Sequence, residues 1–222
     1  MPSARDFIHA GPQVPVHGGV LTPSIRRDLA DLNRQYLELA LAPELSIDPR
    51  FAWCDMVRSR LVGTDAATRS RMAACPFALF EIQLPAENRP VAPLAPLRVE
   101  EGAATAAGGG PWQSRCLEFA QFALFLALRL ADAAPLAIRM TLGLSPLAEL
   151  RLHEMCPSEV AQFAARPDVV RPRWSSHPRF WAMLHGAARI DSASALQSAH
   201  CLGICLLGPD FKALAARPTR TR

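Results

Sequence analysis

The residues best suited to chemistry lie between positions 166 and 181, where arginine is interleaved with aromatic side chains. An arginine guanidinium is planar and donates paired hydrogen bonds to a phosphate or a carboxylate. Tryptophan and arginine are also the residue types that most often anchor protein interfaces. The pattern therefore predicts a surface that binds a protein partner or nucleic acid, formed by Arg166, Arg171, Arg173, Trp174, Arg179 and Trp181.

The same pattern has a structural alternative, in which the aromatic side chains fill the core and the arginines stay in solvent. A double substitution separates the two interpretations. If the surface binds a partner, Arg171→Ala with Arg173→Ala weakens binding and leaves the thermal midpoint nearly unchanged. Loss of folding would instead assign these residues a structural role.

Metal-binding and catalytic motifs give a weaker signal. Cys201 and Cys205 lie four residues apart beside His200, but a structural zinc site needs four ligands and no second pair follows at the usual spacing. Buried thiols are the preferred interpretation. The sequence contains no nucleophile elbow, Walker-type loop or HExxH motif. We therefore expect no catalytic residues, no metal and no cofactor, and a protein that is not an enzyme.

The composition is that of a globular protein, with 50% hydrophobic residues and a net charge of +4 from 24 basic and 20 acidic side chains. Lys212 is the only lysine, so nearly all positive charge is arginine. This permits nucleic-acid contact, although a GC-rich genome would produce the same bias. The N-terminus lacks a secretory signal, which predicts reduced cysteines and a cytoplasmic location. The longest apolar segment, 116–131, is too short and too polar to span a membrane.

Helix start signals recur along the chain and predict an all-α fold. Thr22 with Pro23 opens the first helix, and similar signals precede later ones at Asp48, at Thr64 or Asp65, at Ser145 and at Pro178. Residues 77–84 fit either a short strand or a final helical piece. Proline, glycine and alanine dominate 85–111, which predicts a linker. The expected organisation is a flexible arm over 1–21, small helical bundles over 22–84 and 112–208 joined by that linker, and a basic tail over 209–222.

The helix predicted over 112–133 is apolar around most of its circumference. Such a helix is buried at the centre of a domain or between subunits. We expect it to form an interface through Phe119, Phe122 and Leu126.

The two halves also show a weak internal repeat. Arg58, Leu61 and the pair Cys75–Pro76 in the first half correspond to Arg139, Leu142 and the pair Cys156–Pro157 in the second.

Several of these residues carry a resemblance to a known family. The first predicted helix resembles that of the FlhD-type flagellar transcriptional regulators, and the second half resembles the stretch that follows in that family. The matching residues are Asp31, Leu32, Asn33, Tyr36, Leu37, Leu39 and Ala40 in the first half, and 124–130, 142–144, Val160, Phe163, Ala164, Ser176 and His177 in the second. Because the family is usually a single short unit, the chain resembles a duplicated and diverged form of it.

The resemblance implies a helical fold, a helical dimerisation surface and a role beside a zinc-containing, DNA-binding subunit in transcription activation. We therefore expect a non-enzymatic transcriptional regulator or co-regulator that binds a protein partner and can contact DNA. It would act as a homodimer or as an internal pseudo-dimer. The alternative is an assembly adaptor of a type III secretion or flagellar system that does not bind DNA.

Overall fold

The computed structural model describes residues 21–43, 55–84, 111–166 and 169–215. Helices dominate this part of the chain, which agrees with the all-α expectation, but two short strands are also present. The elements, in order, are α1 (Pro23–Leu41), α2 (Asp55–Leu61), α3 (Ala66–Ala73), β1 (Phe80–Ile82), α4 (Pro111–Ala133), α5 (Pro135–Leu142), α6 (Pro146–Glu154), α7 (Pro157–Ala164), β2 (Val170–Pro172), α8 (Pro178–Arg189) and α9 (Ala193–Ala215).

Most helix starts are set by short-range chemistry. Proline fits the first helical position because its missing N–H would have no intrahelical partner there. The side chains of Thr22, Asp65 and Ser145 accept a hydrogen bond from the backbone N–H three residues later. This confirms the predicted caps at Thr22 and Ser145 and selects Asp65 over Thr64. The predicted start at Asp48 lies outside the described residues. Helices begin at Pro23, Pro111, Pro135, Pro146, Pro157 and Pro178.

The two strands join the halves of the chain. β1 pairs antiparallel with β2, and Glu81 lies opposite Arg171 at the centre of the pairing. The sequence left open whether residues 77–84 form a short strand or a final helical piece. The presence of β1 shows that the segment is extended. The strand β2 was not predicted, because three residues are too few to show an alternating pattern.

Both halves contribute to one hydrophobic core. The cluster contains side chains from α1, α3 and β1 as well as from α4, α8 and α9. Phe77 meets Trp174 edge to face at 5.1 Å between ring centroids, and Phe80 meets Phe119 in the same way at 5.1 Å. The described residues therefore do not form the two separate bundles that were expected, because the short helices of each half leave aromatic rings that the other half covers.

The predicted arm, linker and tail lie outside the described residues, except for Leu21, Pro111 and part of α9. None of the helices in the described ranges combines the length and the apolar character that crossing a membrane requires.

A similar order of elements occurs in both halves. Each begins with a long helix, α1 or α4, followed by two short helices and, later, a strand; the second half adds α7 before its strand. Leu61 and Leu142 both end the first short helix. This order agrees with the repeat seen in the sequence, and the duplication itself stays a prediction.

A buried polar side chain holds α1 against the segment before β1. The side-chain nitrogen of Asn33 donates to the carbonyls of Ala73 and Phe77 at 3.1 and 2.9 Å, and its oxygen accepts from the N–H of Leu79 at 2.8 Å. Because Asn33 is fully buried, these bonds replace the water that the amide would lose on folding. Asn33 therefore fixes the approach of the chain to β1.

Candidate functional site

The predicted binding segment begins with a buried arginine. Arg173 is only 2% exposed, and its guanidinium donates to the carbonyl of Thr141 at 2.9 Å and to that of Leu142. These carbonyls end α5, where the helix dipole favours a positive charge. Arg173 therefore caps a helix, which corrects its prediction as a binding residue.

The two tryptophans of the segment are also part of the core. Trp181 is fully buried and Trp174 is 9% exposed. Trp174 lies in the left-handed region at φ 52°, and its carbonyl accepts from the Trp181 indole N–H at 3.3 Å. Its ring also packs against Phe180, with centroids 4.5 Å apart. Because these rings are buried, Trp174 and Trp181 do not belong to a binding surface. Their prediction as binding residues is therefore wrong.

The other three predicted arginines are exposed. Arg171 lies on β2 between two buried neighbours, so the strand alternation directs it to solvent. Arg179 occupies the first turn of α8. The guanidinium of Arg166 lies 5.3 Å from the ring centre of Phe163. The structural alternative thus holds for Trp174 and Trp181, whereas the burial of Arg173 was predicted by neither interpretation. Arg166, Arg171 and Arg179 stay candidates for binding.

The outer face of α8 extends this set. Met183 and Ile190 are 43% and 65% exposed, and together with Arg179 they follow helical spacing on one side. Methionine and arginine are both enriched at protein interfaces. The outer face of α8 therefore combines apolar contact area with positive charge.

Two further arginines lie at the border between α8 and α2. The pKa of His185 is lowered mainly by burial, and then by the positive charges of Arg189 and Arg60. The ring nitrogen Nε2 of His185 lies 3.3 Å from the hydroxyl of Thr64. Arg189 and Arg60 are exposed, so cations from α2 and α8 lie near His185, whose pKa the carboxylate of Asp65 raises in part.

We refer to Arg60, Arg171, Arg179, Met183, Arg189 and Ile190 as the basic surface. Sequence reasoning missed Arg60 and Arg189, because only the packing of α2 against α8 brings them together. Three carboxylates lie near this surface: Asp191 pairs with Arg71 at 3.6 Å, Glu81 lies opposite Arg171 in the strand pairing, and Asp65 is close enough to His185 to raise the pKa of its ring. Helix α8 itself carries no acidic residue, so its part of the basic surface can attract a negatively charged ligand.

A pocket of about 430 Å³ lies on another part of the molecule, between the start of α1, the turn after α3, and helices α5 and α9. His200 contributes a buried Nε2 that has no hydrogen-bond partner among the described residues, and burial lowers the pKa of the ring. Burial raises the pKa of the Cys75 thiol, which donates to the carbonyl of Met72 at 3.0 Å. The lining of the pocket is mostly apolar, with Arg26 and the His200 ring as its main polar groups, and it contains no ionised nucleophile at Cys75.

The cysteines within the described ranges fall into two groups. Cys75 and Cys116 are buried, whereas Cys156, Cys201 and Cys205 are exposed. The expected burial of Cys201 and Cys205 is therefore wrong, because they lie on the outer side of α9. Within the described ranges, no three His, Cys, Asp or Glu side chains lie close enough together to hold a metal ion.

Comparison of the chain with protein-family models, with curated proteins and with solved structures found no match. The resemblance to FlhD-type regulators thus remains a prediction from the residues quoted above.

Proposed function

We propose that this protein is a non-enzymatic transcriptional regulator or co-regulator that binds a protein partner and contacts DNA through its basic surface. The observation that carries the proposal is the exposure of Arg171 and Arg179 on a rigid support. Neither guanidinium forms an ion pair with another described residue. An arginine with no internal partner can use its full set of donors on a phosphate or a carboxylate.

The support beneath these arginines favours binding over a purely solvating role. Arg173 fixes the turn after β2 to the end of α5, and the indole of Trp181 fixes the same turn to α8. Side chains that project from an ordered backbone lose less conformational entropy when a ligand binds. The buried members of the segment thus position the exposed ones.

The apolar part of the surface supports a protein partner in addition to DNA. Met183, between Arg179 and Arg189 on α8, and Ile190, the C-cap residue just after Arg189, expose large apolar side chains. Phosphates do not require such contacts, whereas an acidic protein surface with an apolar centre would use both. This feature also fits the second candidate function, an assembly adaptor that does not bind DNA.

The experiment measures binding to a fluorescent DNA duplex over a series of salt concentrations. It compares the unchanged chain with a double variant that carries both Arg171→Ala and Arg179→Ala. Each phosphate contact releases about one counterion, so the double variant should bind about tenfold more weakly and its salt dependence should fall by about two units of slope. A matched control replaces Arg27 and Arg151, which are exposed on α1 and α6, and so changes net charge equally. The control should bind nearly as the unchanged chain does.

Equal losses in the two double variants would contradict a role for the basic surface and indicate an effect of net charge alone. If the unchanged chain does not bind DNA at low salt, the DNA-contacting regulator is excluded. The adaptor alternative would then be tested by measuring the same variants against an acidic peptide such as poly-glutamate.

A further inference from the structure

The outer side of α4 carries a regular stripe of exposed residues. From Arg115 onward, the exposed positions of this helix are spaced alternately by three and four residues. This is the spacing that places side chains along the contact line of two paired helices. The stripe consists of Arg115, Glu118, Phe122, Phe125, Arg129 and Asp132.

The centre of the stripe consists of two large apolar side chains that are exposed to solvent. Phe122 and Phe125 are 53% and 49% exposed. Phe119 and Leu126, the other predicted interface residues, are buried inside the chain's own core. The expected interface helix is therefore corrected: α4 uses one side for its own core, and only Phe122 of the predicted set faces outward.

The charges on either side of this centre are arranged symmetrically about a point between residues 123 and 124. Phe122 and Phe125 are equally far from this point, as are Glu118 and Arg129, and Arg115 and Asp132. An antiparallel copy of the helix therefore places each residue opposite the other member of its pair, with opposite charges facing each other. A parallel copy would place each charge opposite itself, which is unfavourable.

We propose that α4 pairs with the α4 of a second copy of this chain, in an antiparallel dimer with Phe122 packed against the partner's Phe125. A two-fold interface must be complementary to itself, and this stripe satisfies that condition at its two phenylalanines and its four charged positions. The proposal goes beyond the regulatory function above and does not depend on it.

Contacts among the described residues leave the stripe accessible. Arg129 pairs with Asp28 of α1 at 2.7 Å, and Asp132 with His153 of α6 at 3.1 Å. Both stripe residues stay largely exposed in these pairs, at 60% and 75% of their side-chain surface. Because a guanidinium has five N–H donors, Arg129 can keep Asp28 and also meet the partner's Glu118.

The first measurement is the mass of the full chain in solution, by sedimentation equilibrium from low to high micromolar concentration. We expect a shift from 24.1 kDa toward twice that mass. Phe122→Asp should weaken the dimer at least about tenfold by placing a carboxylate in the apolar centre. The control Met56→Asp, at a similarly exposed apolar residue on α2, should leave the dimer unchanged.

The second measurement tests the antiparallel register. Glu118→Arg alone and Arg129→Glu alone each create two like-charge contacts per dimer, so each should weaken self-association about tenfold. Mixing the two variants in equal amounts restores opposite charges at both contacts, and should return the affinity to within about threefold of that of the unchanged chain. This second measurement does not depend on a variant that places a charge in the apolar centre of the stripe.

A chain that stays monomeric throughout the concentration range would overturn the proposal. So would a dimer that Phe122→Asp leaves intact, since the stripe would then not be its interface. If the mixed variants associate no more tightly than either one alone, the antiparallel register is wrong. Circular dichroism of each variant establishes that its helices are formed before its mass is interpreted.

Discussion

On the inner side of the segment from 170 to 181, Arg173 donates to two carbonyls at the end of α5 and lies against buried rings. On the outer side, Arg171 is exposed and forms no ion pair with a described residue. Only Pro172 lies between these two arginines in the chain. The difference shows that residue type and spacing select a chemistry, while the packing of α5 and α8 decides whether that chemistry serves folding or binding.

The largest expected effect on stability comes from replacing the inner arginine, Arg173, and it tests this difference directly. Arg173→Ala leaves the carbonyls of Thr141 and Leu142 without their donor and opens a cavity beside Trp174, so we expect a loss of about 3 to 5 kcal/mol in the free energy of unfolding. Urea unfolding followed by circular dichroism measures it. Arg171→Ala is the matched control and should change stability by less than about 0.5 kcal/mol.

This expectation also corrects the double substitution predicted from the sequence. Arg171→Ala with Arg173→Ala should now lower the thermal midpoint, because Arg173 is buried. Equal stability of the two single variants would contradict the division of the segment into an inner and an outer side.

A smaller effect is expected at the glycine that Arg173 covers. Gly143 has a φ of +66°, and a Cβ placed there would lie 2.8 Å from Nη2 of Arg173. Gly143→Ala should therefore cost about 1.5 to 3 kcal/mol, from backbone strain and displacement of the guanidinium. The control is Gly186→Ala in α8, where a Cβ meets no atom within 4 Å. There the change should be neutral or stabilising by up to about 1 kcal/mol, since alanine favours helix. A stable Gly143→Ala would mean that Arg173 is not held tightly.

The smallest effect concerns pH. Burial lowers the pKa of His200 below its ordinary value of 6.5, and the ring packs edge-on against Phe77 on the inner side of the fold. Below pH 6.5 the unfolded chain takes up a proton that the folded chain resists, so stability should fall as the pH decreases from about 7.5. His200→Leu should reduce this dependence, measured by urea unfolding at several pH values. The exposed His177→Gln is the control, and an unchanged slope in His200→Leu would exclude the effect.

Much of the helical framework follows from the sequence, because its signals are local. Proline and a capping side chain at a helix start act within one turn, so the starts of α1, α3, α6 and α8 were predictable. The short helix ends at Gly63 and Gly143 were predictable for the same reason, since both have positive φ. The strand β2 was not predictable, because its partner β1 lies far away in the chain.

Composition alone could not show which arginines stabilise the fold and which are exposed for binding. Part of it caps helix ends: Arg58 donates to the carbonyls of Ala40 and Ala42 after α1, and Arg71 donates to that of Ala188 near the end of α8. These contacts join residues that are distant in sequence, so no local pattern distinguishes them from exposed arginines. Coding bias and a binding surface were therefore incomplete explanations of the arginine content.

The sequence by itself determined where most helices begin, which residues are apolar enough for the core, and that arginine and aromatic side chains concentrate between 166 and 181. Only the tertiary structure decided that both halves share one core, that Arg173 and the two tryptophans lie inside it, and that a charged stripe with two phenylalanines is left outside on α4. The physical reason is range: capping and helix propensity act over a few residues, whereas burial depends on which distant surfaces meet.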